Sequence, residues 1–269
     1  MTNAATDGLV VNEITVAFGG LTALDDVSLS VQPGEVVGVI GPNGAGKTTL
    51  FNVICGFVRP DSGTLSYRGK QLRNHQPHDL AKVGISRTLQ GVGLWAGMTV
   101  IDNVMAGAQS VAKADFVSAL FGLWRSSREE NRLRQRSLSL LEELRIAEYA
   151  NRYPLTLPYA IQKRTSLARA LIAEPSLILL DEPASGLSEG ELQELGKLIV
   201  GLRAKMGVLL VEHHMDLVMS ICDRLVVLNF GHVIASGPPA EVQANPEVTT
   251  AYLGQDVSTI DSQVTNVGP

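Results

Sequence analysis

The sequence has few of the residues that mark metal centres, disulfide scaffolds or membrane spans. Its two cysteines, Cys55 and Cys222, lie far apart and form no CxxC pair, so a metal or redox site has little support. We expect them to pack as small apolar side chains in a reducing compartment. No apolar run approaches the length of a membrane-spanning helix, and the N-terminus lacks the pattern of a signal peptide. If the protein works at a membrane, we expect another chain to supply the membrane part.

Basic charge is scarce as well. The net charge is -5 and no long basic run occurs, which argues against general binding of nucleic acid. Apolar residues make up 45% of the chain, which is ample for a buried core. A length of 269 residues fits one core domain with a smaller appended lobe.

Strand-like apolar runs alternate with helical segments, which predicts an α/β fold with a largely parallel sheet. The middle of the chain, from about 99 to 149, has only helical patterns: Thr99 can cap one helix, and Ser126 and Ser127 can cap the next. An apolar stripe on that second helix predicts that it faces the core rather than a membrane surface. The polar segment 255–269 is predicted to be a mobile tail. The strand-like runs are 9–18, 27–31, 35–40, 64–67, 177–180, 208–211 and 225–228.

The run 35–40 leads directly into GPNGAGKTT, which matches the phosphate-binding loop G-x-x-x-x-G-K-[ST] in its strand–loop–helix context. Glycines let backbone N–H groups turn toward a polyphosphate, and the next helix points its positive end at the same anion. Lys47 is predicted to reach the terminal phosphates, and the Thr48 hydroxyl to bind Mg2+. The predicted nucleotide-binding residues are Gly41, Asn43, Gly44, Ala45, Gly46, Lys47, Thr48 and Thr49.

An acidic pair ends another apolar run, in the sequence LILLDEP. Such a pair alone is only moderate support for a catalytic site, because strands also end in solvated acidic turns. Hydrolysis of a nucleotide needs a carboxylate for the metal and a group that activates water. Together with the phosphate loop, the pair predicts that Asp181 binds the Mg2+ shell and that Glu182 polarises the attacking water.

These motifs resemble those of the ABC-type ATPases, and the resemblance extends from about Leu9 to Gly254. It implies a single nucleotide-binding domain over 1–254, with a mainly parallel sheet core, an antiparallel β lobe and a helical lobe. The core and β lobe are expected at about 9–90 and 174–254, and the helical lobe at about 91–173.

The resemblance also implies roles for residues outside the two motifs. Phe18 matches the aromatic residue that stacks on adenine, and Gln90 matches the glutamine that reaches Mg2+ or the attacking water at the junction with the helical lobe. His213 is a better match than His214 to the switch histidine that bridges the terminal phosphate and the activating carboxylate. The implied catalytic residues are Glu182, His213 and Gln90, and the implied metal ligands are Thr48, Gln90 and Asp181.

The family signature LSGGQ is altered here to LPYAI. In this family the signature of one subunit closes over the nucleotide of another, which implies contacts in trans from Leu157, Tyr159 and Ala160. Pro158 replaces the serine, and a lost hydrogen bond to a charged group is worth roughly 1.5–3 kcal/mol. Ser188 also stands where the family often has aspartate, so communication between the two sites is expected to differ.

Within the family, the sequence resembles the longer ATPase type of branched-chain amino acid importers. The resemblance is in FGGLTALDDVSLSV, ISRTLQGVGLWAGMTVIDNV, DEPASGL and EHHMDLVMSICDRLVVLNFG. It implies ATP and Mg2+ as ligands, and membrane permease subunits, a second ATPase and, indirectly, a substrate-binding protein as partners. The second ATPase is a different chain in many such importers, although a homodimer stays open. The implied location is the cytoplasm, on the inner face of the plasma membrane.

The resemblance leaves alternatives open. Related systems carry urea, amides or aromatic compounds, and an outward lipid-exporting ATPase is a near alternative. Two further alternatives are a non-transport ABC ATPase and a regulatory subunit that binds ATP with slow turnover. The altered signature favours the last of these, whereas the set of Lys47, Gln90, Asp181, Glu182 and His213 argues against it.

Overall fold

The computed structural model describes residues 7–88, 91–108 and 123–252. For residues 123–128 it describes the backbone but not the side chains. The chain divides into two compact units. The first consists of Met1–Pro77 and Gly207–Pro269, and the second of His78–Met206. Gln90 and the predicted mobile tail lie outside the described residues. The predicted limits of the core, β lobe and helical lobe stay predictions.

Strands and helices alternate from residue 177 to 229, as the sequence predicts, whereas the earlier part of the chain has runs of strands and then of helices. The strands are β1 (Leu9–Phe18), β2 (Leu21–Val31), β3 (Val36–Ile40), β4 (Ser62–Tyr67), β5 (Lys70–Gln71), β6 (Ile85–Arg87), β7 (Leu177–Asp181), β8 (Gly207–Val211), β9 (Arg224–Asn229) and β10 (His232–Gly237). The helices are α1 (Lys47–Cys55), α2 (Val100–Gly107), α3 (Leu123–Glu143), α4 (Tyr159–Leu171), α5 (Glu189–Leu202), α6 (Met215–Ile221) and α7 (Pro239–Gln243).

The first unit contains an antiparallel sheet in the order β2-β1-β4-β5. The hairpin of β1 and β2 turns at Gly19 and Gly20, whose φ angles of 53° and 88° suit glycine. Its second strand begins at Leu21, six residues before the predicted start, because polar residues there follow the hairpin pairing rather than an apolar pattern. Alternate residues of β1, such as Leu9 and Val11, are buried.

The parallel strands of the first unit centre on β3, which pairs with β8 on one side and β9 on the other. All five residues of β3 are buried, as a central strand covered on both faces requires. The antiparallel strand β10 extends this sheet beyond β9. Helix α1 buries most of its apolar residues, and it ends at Gly56, whose φ of 78° allows a left-handed cap. Both cysteines are buried, as the sequence predicts.

The second unit combines the parallel pair β6–β7 with the helices α2 to α5. Thr99 caps α2 through a capping box with Asp102, which confirms the predicted cap. The predicted cap at Ser126 and Ser127 is wrong, because α3 begins at Leu123 and both serines lie inside it. Later in α3, Leu141 is fully buried, as the predicted core-facing stripe requires.

The predicted α/β fold is confirmed by the structure and by the comparisons given below. Among the described residues, no helix is both long and apolar enough to cross a lipid bilayer.

Candidate functional site

The phosphate loop follows β3 in the first unit, and its glycines are required by its geometry. A Cβ on Gly41 would lie 2.1 Å from the carbonyl oxygen of Leu228, and a Cβ on Gly46 would lie 2.6 Å from that of Ala23. Gly41, Gly44 and Gly46 have φ angles of 150°, 79° and 102°, which residues with a side chain adopt only with strain. The backbone shape of the loop therefore depends on glycine at these positions.

Lys47 folds back across this loop. Its Nζ donates hydrogen bonds to the carbonyl oxygens of Gly41, at 2.6 Å, and Pro42, at 2.8 Å. The ammonium group is therefore held at the loop, where phosphate oxygens could replace carbonyl oxygens as acceptors. Helix α1 starts with no side-chain cap at Gly46 and no acidic residue in its first turn, so its N-terminal N–H groups suit an anion.

The remaining predicted loop residues surround these groups. Asn43 and Thr48 are exposed, Ala45 is buried and Thr49 is partly buried. The backbone N–H of Ala45 donates to Pro42 O, and its carbonyl accepts from Gly231, which ties the loop to the turn after β9. The Thr48 hydroxyl, in the first turn of α1, is thus accessible to a metal ion.

Phe18 lies at the end of β1, in the hairpin whose second strand touches the loop. The phenylalanine is 50% exposed, so a face of its ring is accessible. Ala23, on the facing strand β2, approaches Gly46 closely, as described above. This arrangement suits a ring that stacks on a base, because any aromatic face can do so.

The segment after β8 carries both histidines on a buried carboxylate. Glu212 is fully buried, and its Oε2 accepts from the backbone N–H of His213, at 2.9 Å, and of His214, at 3.2 Å. His214 Nδ1 lies 2.9 Å from the same oxygen, whereas the side chain of His213 is exposed. Glu212 therefore holds the turn, and of the two histidines His213 has the more exposed side chain. Its role as the switch histidine stays a prediction.

The acidic pair lies in the second unit, at the end of β7. Asp181 ends the strand partly exposed, and its backbone N–H lies 3.4 Å from Thr88 Oγ1. Glu182 has a φ of 44°, an uncommon value for a residue with a side chain. The carbonyl of Glu182 accepts from Lys163 Nζ at 2.9 Å and from the N–H of Ser185 at 3.2 Å.

The altered signature forms the start of α4, also in the second unit. Pro158 is the N-cap residue and provides no side-chain cap bond, consistent with the loss of the serine hydroxyl. Leu157 is partly buried and its carbonyl accepts from Gln162, Tyr159 is 39% exposed, and Ala160 is 6% exposed. The helix therefore begins with a buried methyl group where LSGGQ has a glycine.

Ser188, the residue that departs from the family aspartate, caps α5. Its N–H and hydroxyl both lie within hydrogen-bond distance of Glu191 Oε2, at 2.8 and 2.7 Å. These hydrogen bonds lower the pKa of the Glu191 carboxyl. Serine and aspartate are equally well suited to an N-cap, so this cap does not explain the substitution.

Comparison with known proteins identifies the family. The profile described as ABC transporter matches residues 24–185, which is more than half of the chain. The chain belongs to the ABC transporter family. This membership confirms the predicted ATP-binding and ATP-hydrolysing activity and the interpretation as a transport subunit. A second profile, described as branched-chain amino acid ATP-binding cassette transporter, matches residues 232–258.

Two relatives from this family are similar over nearly their whole lengths. The chain is 41% identical over 249 residues to the high-affinity branched-chain amino acid transport ATP-binding protein LivG of Salmonella typhimurium, covering 92% of this chain and 98% of the relative. It is 40% identical, with the same coverage, to the corresponding protein BraF of Pseudomonas aeruginosa.

Solved structures of the family show the same fold. A nucleotide-free ATP-binding cassette of an ABC transporter matches with a TM-score of 0.79 and 32% identity, covering 91% of this chain and 98% of that one. A cassette in its ADP conformation matches with the same TM-score and identity, covering 92% of this chain and 99% of that one.

Sequence reasoning missed several residues that shape the site. Glu212 could have been found as an acidic residue directly after a wholly apolar strand. Asn103 is fully buried in α2 and donates to the carbonyls of Trp95, Met98 and Thr99, while Arg169 donates to Gly93 O at 2.7 Å. Burial lowers the pKa of Arg169. No motif signals these contacts: that of Arg169 joins residues 76 positions apart, whereas those of Asn103 are local to the start of α2.

Proposed function

We propose that the chain is the ATP-hydrolysing subunit of an importer for branched-chain amino acids. The observation that carries this proposal is 41% identity, over 92% of the chain, to a transport ATP-binding protein for these solutes. The separate match at residues 232–258 to a branched-chain amino acid cassette supports the same solute class. With a permease that spans the membrane, the chain would work in the cytoplasm, on the inner face of the plasma membrane.

Within this function, the phosphate loop binds the terminal phosphates of ATP. Lys47 exchanges the carbonyls of Gly41 and Pro42 for phosphate oxygens, and the N-terminus of α1 adds its N–H groups. Phe18 stacks on the adenine. Asn43, Gly44, Ala45 and Thr49 shape the loop around the phosphates.

The oxygen donors assigned to Mg2+, Thr48 and Asp181, fit that ion, which prefers hard oxygen ligands. Thr48 is exposed and Asp181 partly exposed, so both oxygens are accessible. Bound Mg2+ would neutralise charge on the phosphate oxygens. Gln90 is proposed as a further ligand and as the link to the permease.

Glu182 and His213 are proposed to act on the attacking water. Glu182 orients the water and polarises its O–H bond, while His213 bridges the terminal phosphate and that carboxylate. The backbone N–H of His213 is held by Glu212, and its ring is exposed, so the ring is accessible to a ligand.

The second half of each nucleotide site is proposed to come from a different ATPase chain. Leu157, Tyr159 and Ala160 would face that partner's nucleotide, with the N-terminus of α4 directed at its terminal phosphate. The loss of the serine hydroxyl weakens closure in a homodimer, where both sites would carry the defect. A heterodimer can combine this signature with an unaltered one.

The proposed function is tested by measuring the uptake of radiolabelled leucine in cells that carry the gene for this chain. Deletion of the gene should lower uptake strongly, and the wild-type gene should restore it. Glu182→Gln should bind ATP, should lose at least about 100-fold in turnover and should fail to restore uptake. Full uptake in the deletion strain, with uptake of urea or an aromatic compound lost instead, would contradict the assigned solute class.

A further inference from the structure

We propose that Lys163, in α4, is a positioning residue that holds the main chain of Glu182 for hydrolysis, and that Tyr159 braces it. This inference rests on the proposed role of Glu182 in activating water. Lys163 would connect the start of the signature helix to the catalytic carboxylate of the same chain.

The backbone of Glu182 needs such support. Its φ of 44° lies in the left-handed region, and the next residue is Pro183, which favours extended backbone before it. Conformations of this kind persist only where the surroundings hold them, and they cluster at active sites. Two donors hold the Glu182 carbonyl: Lys163 Nζ at 2.9 Å and the N–H of Ser185 at 3.2 Å.

Of these two donors, only Lys163 comes from another element. The Ser185 bond closes the turn locally, whereas the lysine reaches from α4 across 19 residues of sequence. A charged donor makes a stronger hydrogen bond than a neutral one. The position of the Glu182 main chain is therefore tied to the position of α4.

Tyr159 holds the lysine from its other side. Lys163 Nζ lies 5.4 Å from the centroid of the Tyr159 ring, within cation–π range. The same ring covers Gly186, where an added Cβ would lie 3.0 Å from Tyr159 Cε1. Tyr159, Lys163, Gly186 and the Glu182 carbonyl thus form one packed group. A glycine at position 159, as in LSGGQ, could not provide this ring.

The altered signature therefore acts on its own chain. The N-terminus of α4 is the part proposed to meet the partner's nucleotide, and Lys163 lies one turn further along the same helix. A shift of the helix on closure carries the ammonium with it and moves the Glu182 carbonyl. Closure over the partner's nucleotide is thereby linked to the alignment of Glu182, which acts on the nucleotide bound by its own chain.

Lys163→Met tests the proposal, because methionine keeps an unbranched stem and removes both donor and charge. On the full chain, with a partner ATPase present, kcat for ATP should fall about tenfold while KM stays within about twofold, as expected for an interaction that acts only in the chemical step. Lys163→Arg should recover most of kcat, since it restores a charged donor. Lys205→Met, at an exposed lysine paired with Glu143, is the matched control and should leave kcat unchanged.

Two results would overturn the inference. One is an unchanged kcat in Lys163→Met while Glu182→Gln is inactive, and the other is a raised KM with kcat unchanged, which would assign Lys163 to nucleotide binding. Turnover retained in Glu182→Gln would instead refute the proposed role of Glu182 itself. If Lys163→Met does not fold, Tyr159→Ala provides a second variant, with a smaller loss of kcat expected and an unchanged kcat contradicting the proposal.

Discussion

The phosphate loop and the signature helix differ in how strictly the sequence keeps to the family pattern. The loop matches at each fixed position, and backbone atoms of Leu228 and Ala23 leave no room for side chains at Gly41 and Gly46. The signature departs at four of its five positions, yet it begins a regular helix.

The difference follows from what each segment contacts. The loop is proposed to bind phosphate through its own main chain, so a side chain at a glycine would change the shape that binds the ligand. The signature is proposed to meet a nucleotide held by another subunit, and its main-chain N–H groups remain when its side chains change. Side chains in such a segment can take new roles, as Tyr159 does against Lys163 and Gly186.

The largest effect is expected from Lys47→Ala, which removes the charged donor from the loop. A charge-assisted hydrogen bond to phosphate is worth about 1.5–3 kcal/mol, and Lys47 can make more than one, so ATP affinity should fall about 100-fold. Isothermal titration calorimetry measures the affinity for ATP, with Lys205→Ala as the control. Affinity within a few-fold of the wild type would contradict the role of the loop lysine.

Gly46→Ala should distort the loop and destabilise the first unit. The added Cβ would lie 2.6 Å from Ala23 O at a φ of 102°, so the free energy of unfolding should fall by about 1–3 kcal/mol. Gly190→Ala is the matched control, since nothing lies within 4 Å of a Cβ there. Urea denaturation of both variants measures the difference. Equal stability would show that the loop tolerates side chains as the signature does.

Ala160→Gly restores the family residue in the signature. It therefore tests the signature helix, as Gly46→Ala tests the phosphate loop. Removing the methyl group should raise ATP turnover a few-fold in the presence of a partner ATPase. Glycine in a helix should also lower the free energy of unfolding by roughly 0.5–1 kcal/mol. Phosphate release and thermal melting measure the two effects. A fall in turnover at unchanged stability would show that the alanine is favourable for closure.

The smallest effect on stability is expected from ionisation of the Cys222 thiol, which lies beside Gly38 of β3, the strand that leads into the loop. Burial raises its pKa from 9.0 to about 12. The folded state then holds the proton more tightly than the unfolded state, so this contribution to stability is complete below pH 9.0 and is lost as pH rises toward about 12. Alkylation at pH 8 should be slow in the folded chain and fast in urea. Rapid labelling of the folded chain would contradict this burial.

The sequence allowed the fold and the local motifs to be predicted, because each rests on short-range patterns. The apolar run at β3, the limits of α1 and the cap at Thr99 follow from periodicity and capping residues. The start of α3 could not be predicted, because a capping pattern at Ser126 and Ser127 also fits inside a helix. The contact of Lys163 with Glu182 was missed because it depends on three-dimensional packing, whereas Glu212 contacts its sequence neighbours and could have been found after an apolar strand.

The contrast between a complete loop and an altered signature is tested most directly by light scattering. The Glu182→Gln chain alone is mixed with ATP and Mg2+, and its mass in solution is measured beside its ATP binding. We predict that it binds ATP and keeps the mass of one chain, because we propose that closure requires a second, different ATPase. An ATP-dependent doubling of the mass, reversed when ATP is removed, would contradict this account and show that LPYAI closes over nucleotide in a homodimer.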